Sequence, residues 1–531
     1  MTAATLTTTF APFRYPTFAV LWSATLISNI GTWMHSIGAS WLMTDLSTSP
    51  LMVSLVQTAT TLPIVFFALL AGAIADIFNR RTLLMVTNVG LLTTVIVFAI
   101  LVWQARVTPW VLLGFTFIIG SFTAFMAPAW QAIVPRMVGQ SDLPQAVALS
   151  GISVNLSRAI GPALAGVLIS LYGITTPFAA NATSFIVILG ALWWWKNESP
   201  RTGQTLPSEK VWRAMRAGLR YARYSTPLKN TLWNALGFMF FANTFWSLLP
   251  VVARNQLNGD ATFFGFLMGA IGLGAVTGVV VLTKLRERFN ANQIVLLGSL
   301  LTASVTAYVA VSTQPLIAIM VSTLFGAGWV LVLASVNVSA QQALPDWVRA
   351  RGLSIYMMIV FGSMSLGSAF WGWFADMTSV TSALLLSAVG NVLAIWFARR
   401  FELQQGQGMD LTPSFHWPAP STFAQIGNDA GPVIIEVRYS IRPEDRCDFL
   451  QAIEALKALR KRDGAYNWCV YEDVEREGCY VEHFMEHSWV EHLRHHERVT
   501  QADKPLQDKV RAFHQGDQPP VVNHYLSAEC G

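Results

Sequence analysis

The sequence predicts an all-α polytopic membrane protein, twelve transmembrane helices in two six-helix halves, followed by a small α+β domain. Three observations carry that expectation. Hydrophobic segments separated by short polar loops run from Arg14 to Arg400 and then stop. The balance of charge reverses at the same place. Within the hydrophobic part the chain repeats itself weakly.

A helix that crosses ~30 Å of hydrocarbon needs ~20 mostly apolar residues. Twelve such segments can be marked, at about 18–43, 51–75, 82–104, 109–130, 145–171, 176–196, 229–253, 262–284, 292–312, 315–340, 352–376 and 379–399. No cleavable signal is expected, because the first ten residues carry no positive charge and the first apolar run is too long.

Residues 1–400 hold 22 Lys and Arg against 9 Asp and Glu, whereas 401–531 hold 13 against 21. The sequence pI near 9.0 therefore averages two unlike bodies. Threading twelve helices puts Arg14, Arg80, Arg81, Arg136, the run Lys196 to Lys229, Lys284, Arg286, Arg288, Arg349, Arg351, Arg399 and Arg400 on one side, leaving mainly Arg106 and Arg254 on the other. By the positive-inside rule both termini are then cytoplasmic, and the basic excess orients the protein rather than binding nucleic acid. Cys447, Cys469, Cys479 and Cys530 all lie in the tail at spacings that form no metal knuckle, so free thiols in a reducing compartment are expected.

The repeat relates Val134-Pro135 to Leu344-Pro345, and Gly161-Pro162-Ala163-Leu164-Ala165-Gly166 to Gly367-Ser368-Ala369-Phe370-Trp371-Gly372. The offsets match six helices, with the charged loop 197–228 between the halves. Duplicated six-helix halves suit a transporter whose central site is exposed alternately to each side.

The string Gly72-Ala73-Ile74-Ala75-Asp76-Ile77-Phe78-Asn79-Arg80-Arg81 resembles the loop signature of the major facilitator superfamily. The resemblance implies a gating motif of Gly72, Asp76, Arg80 and Arg81. Gly72 would allow close helix approach, Asp76 would face a helix N-terminus, and the arginines would anchor the turn at an anionic leaflet. Ile77 replaces the usual Arg, and Asn79 replaces Gly, which a left-handed turn conformation would permit. The second-half counterpart keeps Gly278 but has Lys284 in place of an acid. Arg158, Gly161, Pro162 and Gly166 resemble the superfamily's antiporter motif, a pliable seam of proline and small residues. Ordinary small-residue packing is the alternative.

More narrowly, Ser28-Asn29-Ile30-Gly31-Thr32-Trp33-Met34, Pro128 to Pro135 and Leu249 to Arg254 are similar to the enterobactin-exporter-like branch, whose members export siderophores, macrolides and other hydrophobic compounds. His492 to Asp503 is similar to a string in longer members. His35 stands where that branch would have Gln.

Polar groups inside the spans form the shortlist for a substrate cavity, because each is costly in hydrocarbon. Arg158 is the cation placed well inside a span, either a partner for an anion or a clamp on backbone carbonyls. Asn29, Gln57, Asn155, Asn181, Asn234, Asn243 and Asn337 line a cavity or bond neighbouring helices. For coupling to protons, Asp45 and Asp376 are the nearest carboxylates, both at helix ends, and His35 titrates in a useful range unless it only packs. Trp33, Trp41, Phe240, Phe241 and Trp246 are candidate aromatic walls or lipid-facing residues.

Within 197–228, Lys210, Arg213, Arg216, Arg220 and Arg223 interleave with Val211, Trp212, Met215, Leu219 and Tyr221, the pattern of an amphipathic helix on an anionic surface. After a linker at 401–431, strand 433–439, a helix opening at Arg442-Pro443 and running to Arg462, strands 466–473 and 479–485, and helices 488–498 and 501–514 are expected. That β-α-β-β-α order resembles a ferredoxin-like domain of the antibiotic-biosynthesis-monooxygenase type. His483, His487, His492, His495 and His496 straddle three elements without a metal motif and read as a solvated basic face.

The expected organisation is 1–196 and 229–400 as the halves, 197–228 and 401–431 as linkers, and 432–531 as an accessory domain. The expected function is export of a small hydrophobic or amphipathic compound by proton-coupled alternating access. Its partners would be the substrate, protons and the lipid bilayer, with possible dimerisation through the tail and no nucleic acid, cofactor or metal. The alternative is a membrane-tethered monooxygenase-like enzyme with its activity in the tail.

Overall fold

A computed structural model describes residues 10–195, 211–404, 409–415, 417 and 426–527. Twelve long helices carry the hydrophobic part: α1 Pro16–Leu46, α2 Pro50–Ile77, α3 Arg80–Trp103, α4 Pro109–Met137, α5 Leu143–Tyr172 and α6 Thr176–Trp194, then α8 Thr226–Val251, α9 Ala261–Leu285, α10 Ala291–Val311, α11 Pro315–Gln342, α12 Arg349–Met377 and α13 Val380–Ala398. Among the described residues eleven of them are long and apolar enough to cross a membrane. The other is α1, whose 31 residues suffice in length but include Asn29, His35 and Asp45. The short α7 Val211–Tyr224 precedes the second half.

Local chemistry sets the boundaries. Proline occupies the first turn of α1, α2 and α4, where its missing N–H is not needed. Ser49, Thr108, Asp260 and Ser379 accept from the first-turn amides of α2, α4, α9 and α13, and Asn290 closes a capping box with Gln293, as N-caps do. Asn79 is a correction. It lies at φ −61°, not in a left-handed turn, and caps α3 by accepting from the amides of Arg81 and Thr82.

The chain divides into two compact units: residues 1–206, 232–337 and 356–402 form the first, and 207–231, 338–355 and 403–531 the second. In the first, α1 packs on α5 and α6, α2 on α4, α3 on α4 and α6, and α10 on α13. The repeat seen in the sequence recurs as matched contacts. A Cβ on Gly161 of α5 would lie 2.6 Å from Trp33 Cβ on α1, and one on Gly367 of α12 would lie 2.5 Å from the Phe240 carbonyl on α8. Gly166 of α5 meets the Ala261 carbonyl of α9, while Gly372 of α12 meets Ser54 and Leu51 of α2. Each half thus lays its fifth helix on its own first helix and on the other half's second.

The second unit contains β1 Val433–Ser440, α14 Arg446–Asp463, β2 Tyr466–Glu472, β3 Cys479–Glu486, α15 Trp489–Arg498, α16 Lys504–Ala512 and β4 Val521–Leu526. The sheet order is β2-β3-β1-β4, antiparallel throughout, with Val433 opposite both Glu486 and Leu526. This is ferredoxin-like topology, completed by a strand the sequence reading did not mark. Val433, Ile435, Val437 and Tyr439 alternate inward onto Phe449, Ile453 and Leu456 of α14.

Helix α7 buries Ala217, Tyr221 and Ala222, whereas Leu219 is exposed. Arg220 Nε donates to the Arg462 carbonyl at 3.2 Å, and the Tyr221 hydroxyl donates to the Ala343 carbonyl at 2.9 Å. The beginning of that loop, including Lys210, lies outside the described residues.

Candidate functional site

The site in the membrane unit is built where α1, α5 and α9 meet. Ser153, Ser157, Gly161, Ala165 and Gly166 form the buried stripe of α5, recurring at three- and four-residue steps. Ser157 Oγ donates to the Ser153 carbonyl at 2.8 Å. Arg158 stands beside this stripe and carries its guanidinium over the Trp33 ring, 5.4 Å from the centroid, a cation–π arrangement. Its Nε is buried and has no hydrogen-bond partner.

Glycine-on-backbone contact surrounds it. Cβ atoms on Gly265 and Gly272 of α9 would lie 2.6 Å from the Pro162 carbonyl and 2.6 Å from Ala159 Cα. The antiporter-like motif is therefore a close seam to α1 and α9. Gly265, Gly269 and Gly272 were not singled out from the sequence, although their spacing of four and three residues on an apolar helix was a usable signal.

The other candidates scatter. Asn29 and Gln57 are half-buried, as is Asn337. Asn155 donates to its own helix at Gly151 O, 2.9 Å. Asn234 donates to the Phe401 carbonyl at 2.8 Å. Asn243 donates to Met364 O at 2.9 Å and Ser368 Oγ at 2.6 Å, so it joins α8 to α12. His35 is buried against the rings of Phe178 and Phe98, with centroids at 4.9 and 5.8 Å. It packs α1 against α3 and α6 and does not join Arg158.

The carboxylates at helix ends tie the halves together. Asp45 forms an ion pair with Arg254, which also donates to Thr44 Oγ1 at 2.9 Å. Ser49 Oγ donates to Asp376 Oδ1 at 2.7 Å. At the opposite, basic end, Arg81 donates from Nε to Leu192 O at 2.8 Å and from Nη2 to Trp193 O at 3.0 Å. It caps the last carbonyls of α6, a role the anchoring expectation missed. Among the described residues a Cβ on Gly72 would meet nothing within 4 Å, whereas one on Gly278 would lie 2.9 Å from Ala327 Cα. The side chains of Asp76 and Arg136 lie outside the described set.

In the tail domain the expected solvated histidine face is overturned. His492 and His495 are buried, 2% and 1% exposed, and Glu486 binds both: His492 Nδ1 at 3.0 Å and His495 Nδ1. Burial disfavours the Glu486 charge, but the two histidines outweigh it and hold the carboxyl well below its ordinary range. Burial, then the charges of His492 and His495, lowers His496 to about 3, and burial lowers His524 to about 4. Glu482 accepts from Arg460 Nε at 2.9 Å, Trp468 Nε1 at 2.9 Å and Tyr439 OH at 3.1 Å. Arg462 bridges Asp463 and Asp503. Among the described cysteines Cys447, Cys469 and Cys479 are free thiols.

The profile of the transmembrane secretion effector family matches residues 7–530. The chain belongs to this family. It is 24% identical over 375 residues to the staphyloferrin A transporter of Staphylococcus aureus (strain NCTC 8325 / PS 47), covering 70% of this chain and 92% of that one. It is 26% identical over 404 residues to the enterobactin exporter EntS of Escherichia coli O1:K1 / APEC, covering 73% and 94%. Its fold is shared with a bacterial homolog of the human lysosomal transporter Spinster in an inward-facing, unoccupied conformation, at TM-score 0.55, 14% identity and coverage of 73% and 96%. A POT family transporter in complex with a thioalcohol-conjugated peptide aligns at TM-score 0.59 and 12% identity, covering 72% and 95%. The protein is thus a membrane transporter and not an enzyme.

Proposed function

We propose that the protein exports a siderophore-like or similarly amphipathic, anionic compound by alternating access, driven by protons. The observation that carries this reading is Arg158, a guanidinium over Trp33 with a buried, unpartnered Nε at the meeting of three helices. Such a group pairs with a carboxylate or catecholate oxygen, and Trp33 offers a face to an aromatic or apolar part of the same molecule. The names of the staphyloferrin and enterobactin relatives support the substrate class. The halves 1–196 and 229–400 would form the transport body, with 432–531 as the accessory domain. The basic end would face the cytoplasm, as the positive-inside rule requires. Gly72, Asp76, Arg80 and Arg81 would gate that end.

Coupling would act at the opposite end. Protonation of Asp45 or Asp376 removes the charge that binds Arg254 or strengthens the Ser49 contact, and so loosens the clasp between halves. Dimerisation through the tail is supported by the edge strand β4, where Val521, Val522 and Tyr525 are exposed at 57, 48 and 44%. Light scattering of the purified protein reads it.

Loss of a hydrogen bond to a charged group costs ~1.5–3 kcal/mol. Arg158→Ala should therefore weaken apparent substrate affinity tenfold or more in inverted membrane vesicles supplied from outside with an iron-free siderophore, and Arg158→Lys should restore it only in part. A protonophore should collapse uptake by wild-type vesicles. Unchanged KM in Arg158→Ala overturns the binding role, and uptake that survives the protonophore overturns the coupling.

A further inference from the structure

The tail domain holds a cluster that transport does not use. His492 and His496 lie one helical turn apart on α15, and His524 lies on β4, opposite Ile435 of β1. Ring nitrogens of the three lie within 4.8 Å of one another, and the His492 ring centroid is 4.8 Å from that of His496 and 4.6 Å from that of His524. All three line a cavity of about 200 Å³, whose walls include Ile435, Leu456 and Phe484 and also Arg460 and Arg511.

We propose that His492, His496 and His524 bind a divalent transition-metal ion of the zinc or cobalt type, with an open coordination position facing this cavity. Two observations besides the clustering point to a ligand. First, His492 is 2% exposed, and its Nε2 is buried without a hydrogen-bond partner, a state that native structures rarely leave unresolved. Second, its other nitrogen is held by the Glu486 carboxylate at 3.0 Å. A carboxylate that accepts from one imidazole nitrogen fixes the tautomer and leaves the other nitrogen's lone pair free for a metal, the arrangement found behind metal-bound histidines.

Imidazole suits zinc, cobalt, nickel, copper and ferrous ions. With Zn–N bonds of ~2.0–2.1 Å, tetrahedral ligands stand ~3.3–3.4 Å apart, so the rings must close inward. His496 and His524 are half-buried and have room to turn, whereas His492 is locked. Three protein ligands leave a fourth position open, as in sites that bind a further molecule. The proposal does not depend on the transport reading.

The test uses the full-length protein, purified in detergent and stripped with a chelator, titrated with Co2+ and followed by its visible d–d absorption. One equivalent should saturate the signal, and Zn2+ should displace it. Losing even a carboxylate behind a ligand costs roughly 10–100-fold in metal affinity, so His492→Ala, His496→Ala and His524→Ala should each weaken binding at least tenfold, and Glu486→Gln by a similar factor. His487→Ala, exposed and outside the cluster, should bind as wild type. Should the buried His492→Ala fail to fold, His524→Ala on the half-exposed edge strand carries the decision, with Zn2+ expected to raise the melting midpoint of wild type but not of that variant. No saturable binding, wild-type affinity in His524→Ala, or an equal loss in His487→Ala overturns the site.

Discussion

The two seams between the halves are built from different materials. Along α5 and α9 the backbones touch for three helical turns: Gly166 on the Ala261 carbonyl, Gly265 on the Pro162 carbonyl, Gly272 on Ala159, with Ser170 and Thr262 hydroxyls 2.6 Å apart beyond them. Along α2 and α12 contact begins with Ser49 and Asp376, continues through Ser54 at Gly372 and Thr58 Oγ1 donating to Ser365 O at 3.1 Å, and thins to 3.7 Å between Val65 and a Cβ on Gly362. By Gly72 no described residue is within 4 Å of an added Cβ. Small residues let helices approach until dispersion and carbonyl contact hold them without side-chain mediation, and such contact has no graded intermediate. Hydroxyl and carboxylate contacts can be exchanged for water or protons one at a time. On that contrast we propose that the first seam is a fixed bearing and the second a joint that parts from its basic end.

The harshest way to break this contrast is to fill the bearing. Gly166→Ala puts a methyl 2.6 Å from a backbone oxygen, and overpacking of this kind costs ~1–3 kcal/mol. We expect a lower melting midpoint in detergent and loss of most export, with Gly166→Leu worse. A Gly166→Ala protein with wild-type melting and export would show that the seam yields, and the distinction between bearing and joint would fail.

Much of this frame was legible in the sequence because hydrocarbon thickness dictates helix length and leaves the loops as the place for charge. The half repeat was legible for the same reason that it recurs in space: Gly161 and Gly367 both sit where two backbones meet. What stayed hidden depends on partners far away in the chain. The glycines of α9 have meaning only opposite Pro162 and Ala159. Asp45 and Arg254, 209 residues apart, were each noticed singly and could not be paired. In the tail, β4 alternates poorly because an edge strand has little to bury, and without it His524 could not be placed beside His492. The buried histidines looked solvated because Glu486, which binds them, is on a strand whose inward face mixes Glu482 and Glu486 with the aromatic Tyr480 and Phe484. Asn79 was misjudged because a cap and a left-handed turn draw on the same residue type.

A milder intervention acts on the joint. The Asp45–Arg254 side chains are 43% and 38% exposed, and exposed ion pairs contribute ~0.2–1 kcal/mol. Asp45→Asn should therefore shift the balance between the two open states by up to about fivefold toward opening at that end, without lowering the amount of protein in the membrane. Cysteine-accessibility labelling at either end reads the shift. Arg254→Gln should do the same, and the double variant should add little to either single one, because both remove one interaction. Additive shifts, or none, would remove the clasp from the mechanism. Raised salt should mimic part of the effect in wild type.

The smallest effect is expected at Gly72, one of the residues that carry the resemblance to the family signature. With nothing within 4 Å of an added Cβ, Gly72→Ala introduces no clash in this conformation, and alanine is favoured over glycine inside a helix by up to ~1 kcal/mol. The melting midpoint should stay level or rise slightly, while Gly278→Ala, whose added methyl would stand 2.9 Å from Ala327 Cα, should lower it. Any loss of export in Gly72→Ala must then come from a conformation in which the basic ends of α2 and α12 close, since a ligand or substitution shifts an equilibrium only by its difference between the two states. The pair of variants separates the cases: stability unchanged with export reduced places a close contact at Gly72 in the closed state alone. Stability reduced as much as in Gly278→Ala would mean that the joint is already shut at its basic end, and the contrast between the two seams would be lost.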